Sequence, residues 1–308
     1  MRAENWLKDP LECLKLPDDK GSGAWQLTTH HVKKGDELLV IDFREAFITG
    51  KAEVKARAPK AFKIHFLTED GSTVMSSMPR EYRQMFTASR KLRGNVLIGG
   101  LGLGLITVLA SQKKEVKSIT IVEKENDVIS LVGPSVTKLA KVDGIFLGGL
   151  FYYLENTKKK FDTAFYDIWT GTSEYDWITY VVPLRRLSAR AGLRPSSIVC
   201  WMEGVMVGQI VKSFTHALFV KDHDHWWPKK VFVMGLTELG VSSPVEPVEI
   251  NQSDPHSVLK LIEYENTVAR DPKVKTAMSM FINNIGSPMW ESVWGKYWDQ
   301  LQPKKKEE

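Results

Sequence analysis

The sequence predicts an α/β protein: a parallel sheet with helices on both faces, preceded by a small β-rich domain and followed by a helical extension. Three observations carry this reading. Residues 95–123, NVLIGGLGLGLITVLASQKKEVKSITIVE, run as strand, glycine turn, helix, strand and closing acid, which is half of a nucleotide-binding α/β unit. Two further apolar runs of strand length, FDTAFYDIW at 161–169 and SIVCWM at 197–202, follow it, with a helical stretch at 174–191 between them. Before residue 78 the pattern is strand-rich, and after 241 a proline-rich stretch gives way to helices. The expected division is therefore 1–78, 79–240 and 241–308.

Taken in order, residues 1–23 are polar, with Trp6, Leu7, Leu11, Leu14 and Leu16 spaced as a short helix and loop that dock on a neighbour. Short strands are expected at 37–43, 62–67 and 72–75, and Glu69-Asp70-Gly71 between the last two is a hairpin signal. MSSMPREY at 75–82 ends a strand and starts a helix, since Pro79 suits the first turn and Glu81 opposes the helix dipole. That helix runs to about residue 92 and leads into the strand 96–98. After the acid at 123, a helix at 126–132 is stopped by Gly133-Pro134, and a third strand lies near 145–147. The run 205–219 reads as a helix and 230–234 (KVFVM) as an added strand. Trp290, Trp294 and Trp298 recur every four residues as a helical stripe, explained by packing, with a substrate or partner surface as the alternative. Residues 304–308 read as a charged, disordered tail.

Composition narrows the class. The chain has 308 residues, 43% hydrophobic and 26% charged, with a net charge of +5, ordinary values for a soluble globular protein. The longest uncharged apolar stretch, 96–110, is too short and glycine-rich to span a bilayer, and the N-terminus is not of the secretory kind, so no membrane role is expected. Cys13 and Cys200 are the only cysteines, which fits a reducing, cytoplasmic setting. Basic clusters at 51–63, 158–160, 185–194 and 304–306 read as solvated surface, permitting a nucleic-acid partner without indicating one. His30-His31 and His223-Asp224-His225 lack the spacing and cysteine support of a metal site. Nothing fixes an oligomeric state.

The glycines carry the chemistry. A turn rich in Gly99, Gly100, Gly102 and Gly104 takes backbone angles open mainly to glycine and lets a ligand reach amides at a helix N-terminus, while Glu123 is placed to accept from ribose hydroxyls. The dinucleotide pattern G-x-G-x-x-G fails, because its last position falls on Leu105 or Thr107. G-x-G-x-G fits at 100, 102 and 104, and no lysine-serine or lysine-threonine pair follows as a P-loop requires. This pattern resembles that of the class I S-adenosylmethionine (SAM) methyltransferases, whose Rossmann-like fold is shared by the aminopropyl (spermidine-type) synthases. With MSSMPREY before it, it resembles a group of methyltransferase-like proteins common in phage and bacterial genomes, which implies a cytoplasmic setting, the host's if the chain is phage-encoded.

The resemblance implies SAM as cofactor, held by Gly99, Gly100, Gly102, Gly104 and Glu123. In the resembled proteins an aspartate after the third strand meets the adenine; here the matching positions are Gly148, Gly149 and Leu150, leaving Gly149 backbone or Phe151, Tyr152 and Tyr153 to serve, and Asp143 lies at the wrong end of the strand. Asp167 ends the fourth strand, where ligands of open parallel sheets bind, and its bland alternative is a cap for the next helix. The leading expectation is methyl transfer to an unidentified acceptor, with Asp167 orienting or partly deprotonating the acceptor and Trp169 walling its pocket. An aminopropyltransferase is the second, weakened by Leu103 where those enzymes carry an aspartate and by a single carboxylate before Glu174. The third is a non-catalytic binding module, suggested by Ile98 and by the missing acid after the third strand.

Overall fold

Trp6, Leu7, Leu11, Leu14 and Leu16 are all buried, and docking them folds the N-terminal residues into 3₁₀ turns at Ala3–Trp6 and Glu12–Leu14. The structure is a computed structural model and describes residues 3–41, 54–217, 227–241 and 254–301. Strands β1 (Lys20–Ser22), β2 (Trp25–Val32), β5 (Phe62–Glu69) and β6 (Ser72–Ser76) form an antiparallel sheet in the order β1-β2-β5-β6, while β3 (Glu37–Ile41) pairs with β4 (Val54–Arg57). Alternation decides which face is buried: Trp25 and Leu27 in β2 and Phe62 and Ile64 in β5 point into the core. The β5–β6 turn is the expected one, with Asp70 and Gly71 at φ of 46° and 77°.

Helix α1 (Pro79–Ser89) starts with Pro79 at its first turn and buries Tyr82, Met85 and Ser89, spaced along one face. Its end is closed from outside, because the Lys113 ammonium donates to the carbonyls of Ser89, Arg90 and Leu92 at 2.8, 3.0 and 2.6 Å. The chain then alternates: β7 (Gly94–Gly99), α2 (Leu105–Ser111), β8 (Val116–Glu123), α3 (Asn126–Val136), β9 (Val142–Leu147), α4 (Leu150–Asn156) and β10 (Thr163–Tyr166), with β11 (Ile198–Cys200) later. These five strands make one sheet in the order β11-β10-β7-β8-β9, every pairing parallel. The first strand of the series, β7, therefore lies at its centre. The chain winds outward to β9, then returns past β7 to β10, so the order reverses between β7 and β10. The protein is thus the α/β fold expected, with a central parallel sheet flanked by helices.

The chain divides into two compact units. The first is Met1–Thr170 with Ala191–Leu193 and Ser197–Trp201, and holds all three described sheets; the second is Gly171–Arg190, Arg194–Ser196 and Met202–Glu308. In the second, α5 (Glu174–Asp176) continues through a π-helical stretch, Trp177–Val181, into α6 (Val182–Arg190). Then come α7 (Glu203–Ala217), α8 (Trp227–Glu238), α9 (Pro255–Arg270), α10 (Pro272–Asn283), α11 (Pro288–Trp290), a second π-helical stretch at Glu291–Gly295, and α12 (Lys296–Leu301). The tryptophan stripe is core here. Trp290, Trp294 and Trp298 are fully buried, with ring centroids 5.7, 5.2 and 6.4 Å from Phe281. Phe281 also meets Phe214 at 5.3 Å and Phe232 at 5.5 Å. The Arg186 guanidinium pairs with Glu291 at 2.7 Å and Asp299 at 2.8 Å and lies 5.4 Å from the Trp290 ring, tying α6 to the C-terminal helices.

Two local expectations fail. Residues 230–234 are helical, inside α8, not a strand. KVFVM has strand-forming residues, but the longer window carries a helical face: Val231, Phe232 and Leu236 are buried, and Gly235 sits beneath Trp294. Nor does Gly133-Pro134 stop α3, which runs on to Val136. Pro134 is exposed, and so is Ser130, whose carbonyl its missing N–H leaves without a ladder bond, so water can take the place of that bond. His223-Asp224-His225 and the 304–308 tail lie outside the described residues. No helix among the described residues is long and apolar enough to cross a membrane.

Phe281 lies at the centre of this aromatic core, so Phe281→Ala should destabilise the protein by about 3–5 kcal/mol. Urea denaturation followed by tryptophan fluorescence measures this, and a loss below about 1 kcal/mol would show that the cluster repacks around the gap.

Candidate functional site

The carboxyl ends of β7, β8 and β10 meet at the point where strand order reverses, where open α/β sheets bind ligands. The glycine loop fills that crevice. Gly100, Gly102 and Gly104 all have positive φ, 93°, 48° and 76°, and Gly104 is the N-cap of α2. Each is also held close by something a side chain would displace. A Cβ on Gly100 would strike the backbone carbonyl of Asp167, one on Gly102 the Met75 sulfur, and one on Gly104 the Val136 side chain. Gly99, the last residue of β7, accepts a hydrogen bond from the Asp167 amide at 2.9 Å and lies against Leu150 and Tyr166. The loop and the end of the fourth strand are therefore in direct contact.

Glu123 ends β8, is only 8% exposed, and braces the loop. One carboxylate oxygen accepts from the Leu101 amide at 2.8 Å, the other from the Glu125 amide at 2.9 Å. Of the loop's other amides, Gly100 N–H donates to the Val122 carbonyl of β8 and Gly104 N–H to Leu101 within the loop, both at 2.9 Å, and Leu103 N–H donates to the Met75 sulfur at 3.3 Å. At the end of β9, the Gly148 amide donates to the Glu123 carbonyl at 2.8 Å and Gly149 is the N-cap of α4. A Cβ on Gly149 would meet nothing within 4 Å, so sterics do not require glycine there. Tyr153 packs on Phe146 at 5.0 Å, while Tyr152 stands 62% exposed. Asp143, at the opposite end of β9, is paired with Lys159 at 2.6 Å, which holds its carboxyl below the usual range.

Asp167 does not cap a helix. The next one, α5, is capped by Ser173, whose hydroxyl accepts from the Asp176 amide while the Asp176 carboxylate accepts from the Ser173 amide. The Asp167 side chain keeps a partial opening to solvent yet is surrounded by protein, and burial pushes its pKa up to about 8, with the nearby Glu81 carboxylate adding to the rise. Glu81, in the first turn of α1, is itself raised by burial, an effect opposed by hydrogen bonds from the Ser76 hydroxyl and amide at 2.7 and 2.5 Å. Trp169, two residues on, is 6% exposed.

The site thus brings together Gly99, Gly100, Asp167 and Glu81, with Glu123 beneath the loop. In the sequence, Met75 and Glu81 stand out only within MSSMPREY, where the resemblance lets the helix cover the cofactor and the alternative is an ordinary helix start; neither is named there as a site residue, and Met75 lies on the loop. Met75 sits near the end of β6 and Glu81 in the helix that follows, and only the three-dimensional path of that segment reveals the pairing.

No protein-family model matches the chain, and no curated protein matches it. Among solved structures, a dimethyladenosine transferase from Plasmodium falciparum aligns at 19% identity over 29% of this chain and 32% of that one, with a TM-score of 0.24. A spermidine synthase from Thermotoga maritima aligns at 11% identity over 56% of this chain and 61% of that one, with a TM-score of 0.33. The chain spans about a third and three fifths of the lengths of these two proteins.

The raised Asp167 carboxyl has a stability signature. The folded chain keeps the proton to higher pH than the unfolded chain, whose carboxyl ionises near 3.8. Stability is therefore greatest below that range and falls as pH rises toward about 8. Asp167→Asn should melt with the wild type at about pH 4 and above it at about pH 8. Differential scanning calorimetry across that range checks this, and a pH-independent difference would remove Asp167 as the titrating group.

Proposed function

We propose that the chain binds SAM at the glycine loop and transfers its methyl group to an acceptor beside Asp167. The observation that carries this reading is the contact of Gly100 with the Asp167 backbone at the strand-order switch, which sets the glycine turn next to a carboxyl of raised pKa. The residues present suit the nucleoside end of such a cofactor: three glycines with positive φ, and a second-strand acid under the loop. When bound, SAM supplies an electrophilic methyl on a sulfonium sulfur. The chain's own task is positioning, with the acceptor held in line with that carbon–sulfur bond. Asp167 would take the proton that the acceptor gives up on methylation. A base must be ionised to accept, so kcat/KM, which reads the carboxyl of the free protein, should rise with pH toward about 8.

Aminopropyl transfer is the second reading, and one observation favours it. Glu81 adds, from a different element, a second carboxylate near Asp167, and paired carboxylates suit a cationic amine. The third is a binding module with no turnover. Calorimetric titration with SAM, decarboxylated SAM and NAD separates them by ligand. Labelled SAM offered to cell extract then separates enzyme from module.

Asp167→Asn should leave SAM affinity within about threefold and lower turnover about 10²–10⁴-fold, with the pH dependence flattened. Full activity in a folded Asp167→Asn protein would remove Asp167 as the base. SAM bound without labelled product from any extract, in wild type as in the variant, favours the binding module.

A further inference from the structure

Most of the glycine-loop amides are already partnered by the protein itself, and one partner is unusual. The Leu103 N–H, which points out of the turn before α2, donates to the thioether sulfur of Met75 at 3.3 Å. The same sulfur lies over Gly102, close enough that a Cβ there would collide with it. Met75 is thus bonded to the loop and fills the space that Gly102 leaves open.

The backbone around Met75 is fixed. The Ser76 amide and hydroxyl both bind the Glu81 carboxylate. The Ser77 amide donates to the His65 carbonyl at 2.8 Å, and the His65 amide donates to the Ser77 hydroxyl at 2.9 Å. A register shift in the β5–β6 pairing falls between Leu67 and Thr68, and Leu67 is the residue opposite Met75. The strand end is held on both sides, so the part free to move is the methionine side chain, which is unbranched and only half-buried.

We propose that Met75 is a built-in competitor for the ligand of the glycine loop: in the empty protein its thioether caps the Leu103 amide and covers Gly102, and a ligand gains both by swinging the side chain out. The choice of residue suits the task. A thioether is a weak acceptor, whereas a carboxylate on a ligand makes a charge-assisted bond about twice as strong as a neutral one, so the exchange runs toward the ligand. Leucine would fill the space without satisfying the amide, and a serine or aspartate would hold the amide too firmly to leave. The identity of that ligand rests on the SAM reading above; the cap itself does not.

Two measurements test it on the full chain. In the first, amide hydrogen exchange of the ligand-free protein is compared among wild type, Met75→Leu and Met75→Ala, with the fold checked by calorimetry. Leu103 should exchange faster in both variants while the β7 and β8 amides stay protected; unchanged Leu103 exchange in a folded Met75→Ala protein overturns the cap. In the second, titration with S-adenosylhomocysteine should show affinity about two- to tenfold tighter in Met75→Ala than in wild type, the range expected from one neutral hydrogen bond. Weaker binding in Met75→Ala would make Met75 a wall of the ligand site and overturn the competitor. Faster Leu103 exchange with no S-adenosylhomocysteine bound by any form sinks the SAM reading and supports the cap.

Discussion

The Glu123 carboxylate accepts from the Leu101 amide with one oxygen and the Glu125 amide with the other, and the shape of the glycine loop depends on that pair of bonds. A carboxylate that is 8% exposed is costly to bury unless its lone pairs are met, and here backbone donors on two sides meet them. The arrangement works in both directions. Without the acid, the Leu101 N–H would be a buried donor at a turn whose residues already adopt uncommon angles. Without the loop, the acid would be an uncompensated charge at the end of a buried strand. The β8 end, the loop and the start of α3 are therefore one cooperative piece, and the other features of the site are arranged around it.

Strand order then decides what the loop touches. In a sheet ordered β11-β10-β7-β8-β9, the loop leaving the central strand has β8 on one side and β10 on the other. The β8 side contributes Glu123. The β10 side contributes Asp167, whose amide bonds to Gly99 and whose carbonyl requires Gly100 to lack a side chain. Gly100 and Asp167 are distant in sequence and meet because β7 and β10 are neighbours in the sheet. The same topology explains why β9, at the edge, exposes Phe146 and Leu147 while Val96, Leu97 and Ile98 are fully buried.

Much of this is legible in the sequence, and the parts that are not share a cause. Residues 95–123 are readable because their signals are local: an apolar run, glycines at fixed offsets, a second apolar run and an acid. The N-terminal leucines and the tryptophan stripe are readable as packing because their spacing defines one face. KVFVM misleads because a five-residue run with the strand formers Val231, Phe232 and Val233 cannot show a helical period, which emerges only when Leu236 is counted with Val231 and Phe232. Pro134 misleads because a proline's effect depends on whether the affected carbonyl faces water, and sequence does not say. At the site, Met75 and Glu81 fall within MSSMPREY, but nothing in that motif ties them to Leu103 or Asp167. The Met75–Leu103 bond and the charge effect of Glu81 on Asp167 cross from the antiparallel sheet and α1 to the parallel sheet, a juxtaposition that no spacing encodes.

The carboxyls of Asp167 and Glu81 give the site a physical character independent of what binds there. Both are raised by burial, and Glu81 lifts Asp167 further, up to about 8, so the Asp167 carboxyl favours its protonated form over much of the neutral range. A cation brought beside Asp167 reverses the balance, because an opposite charge stabilises the ionised carboxylate. Proton release and cation binding are then linked, each favouring the other by the same free energy. A sulfonium and a protonated amine both meet that description, which is why the two transfer readings share this site. They differ in where the charge sits: at the reacting centre in the first case, and on the incoming partner as well in the second. A base that loses its proton when a positive reactant arrives is ionised at the moment it is needed.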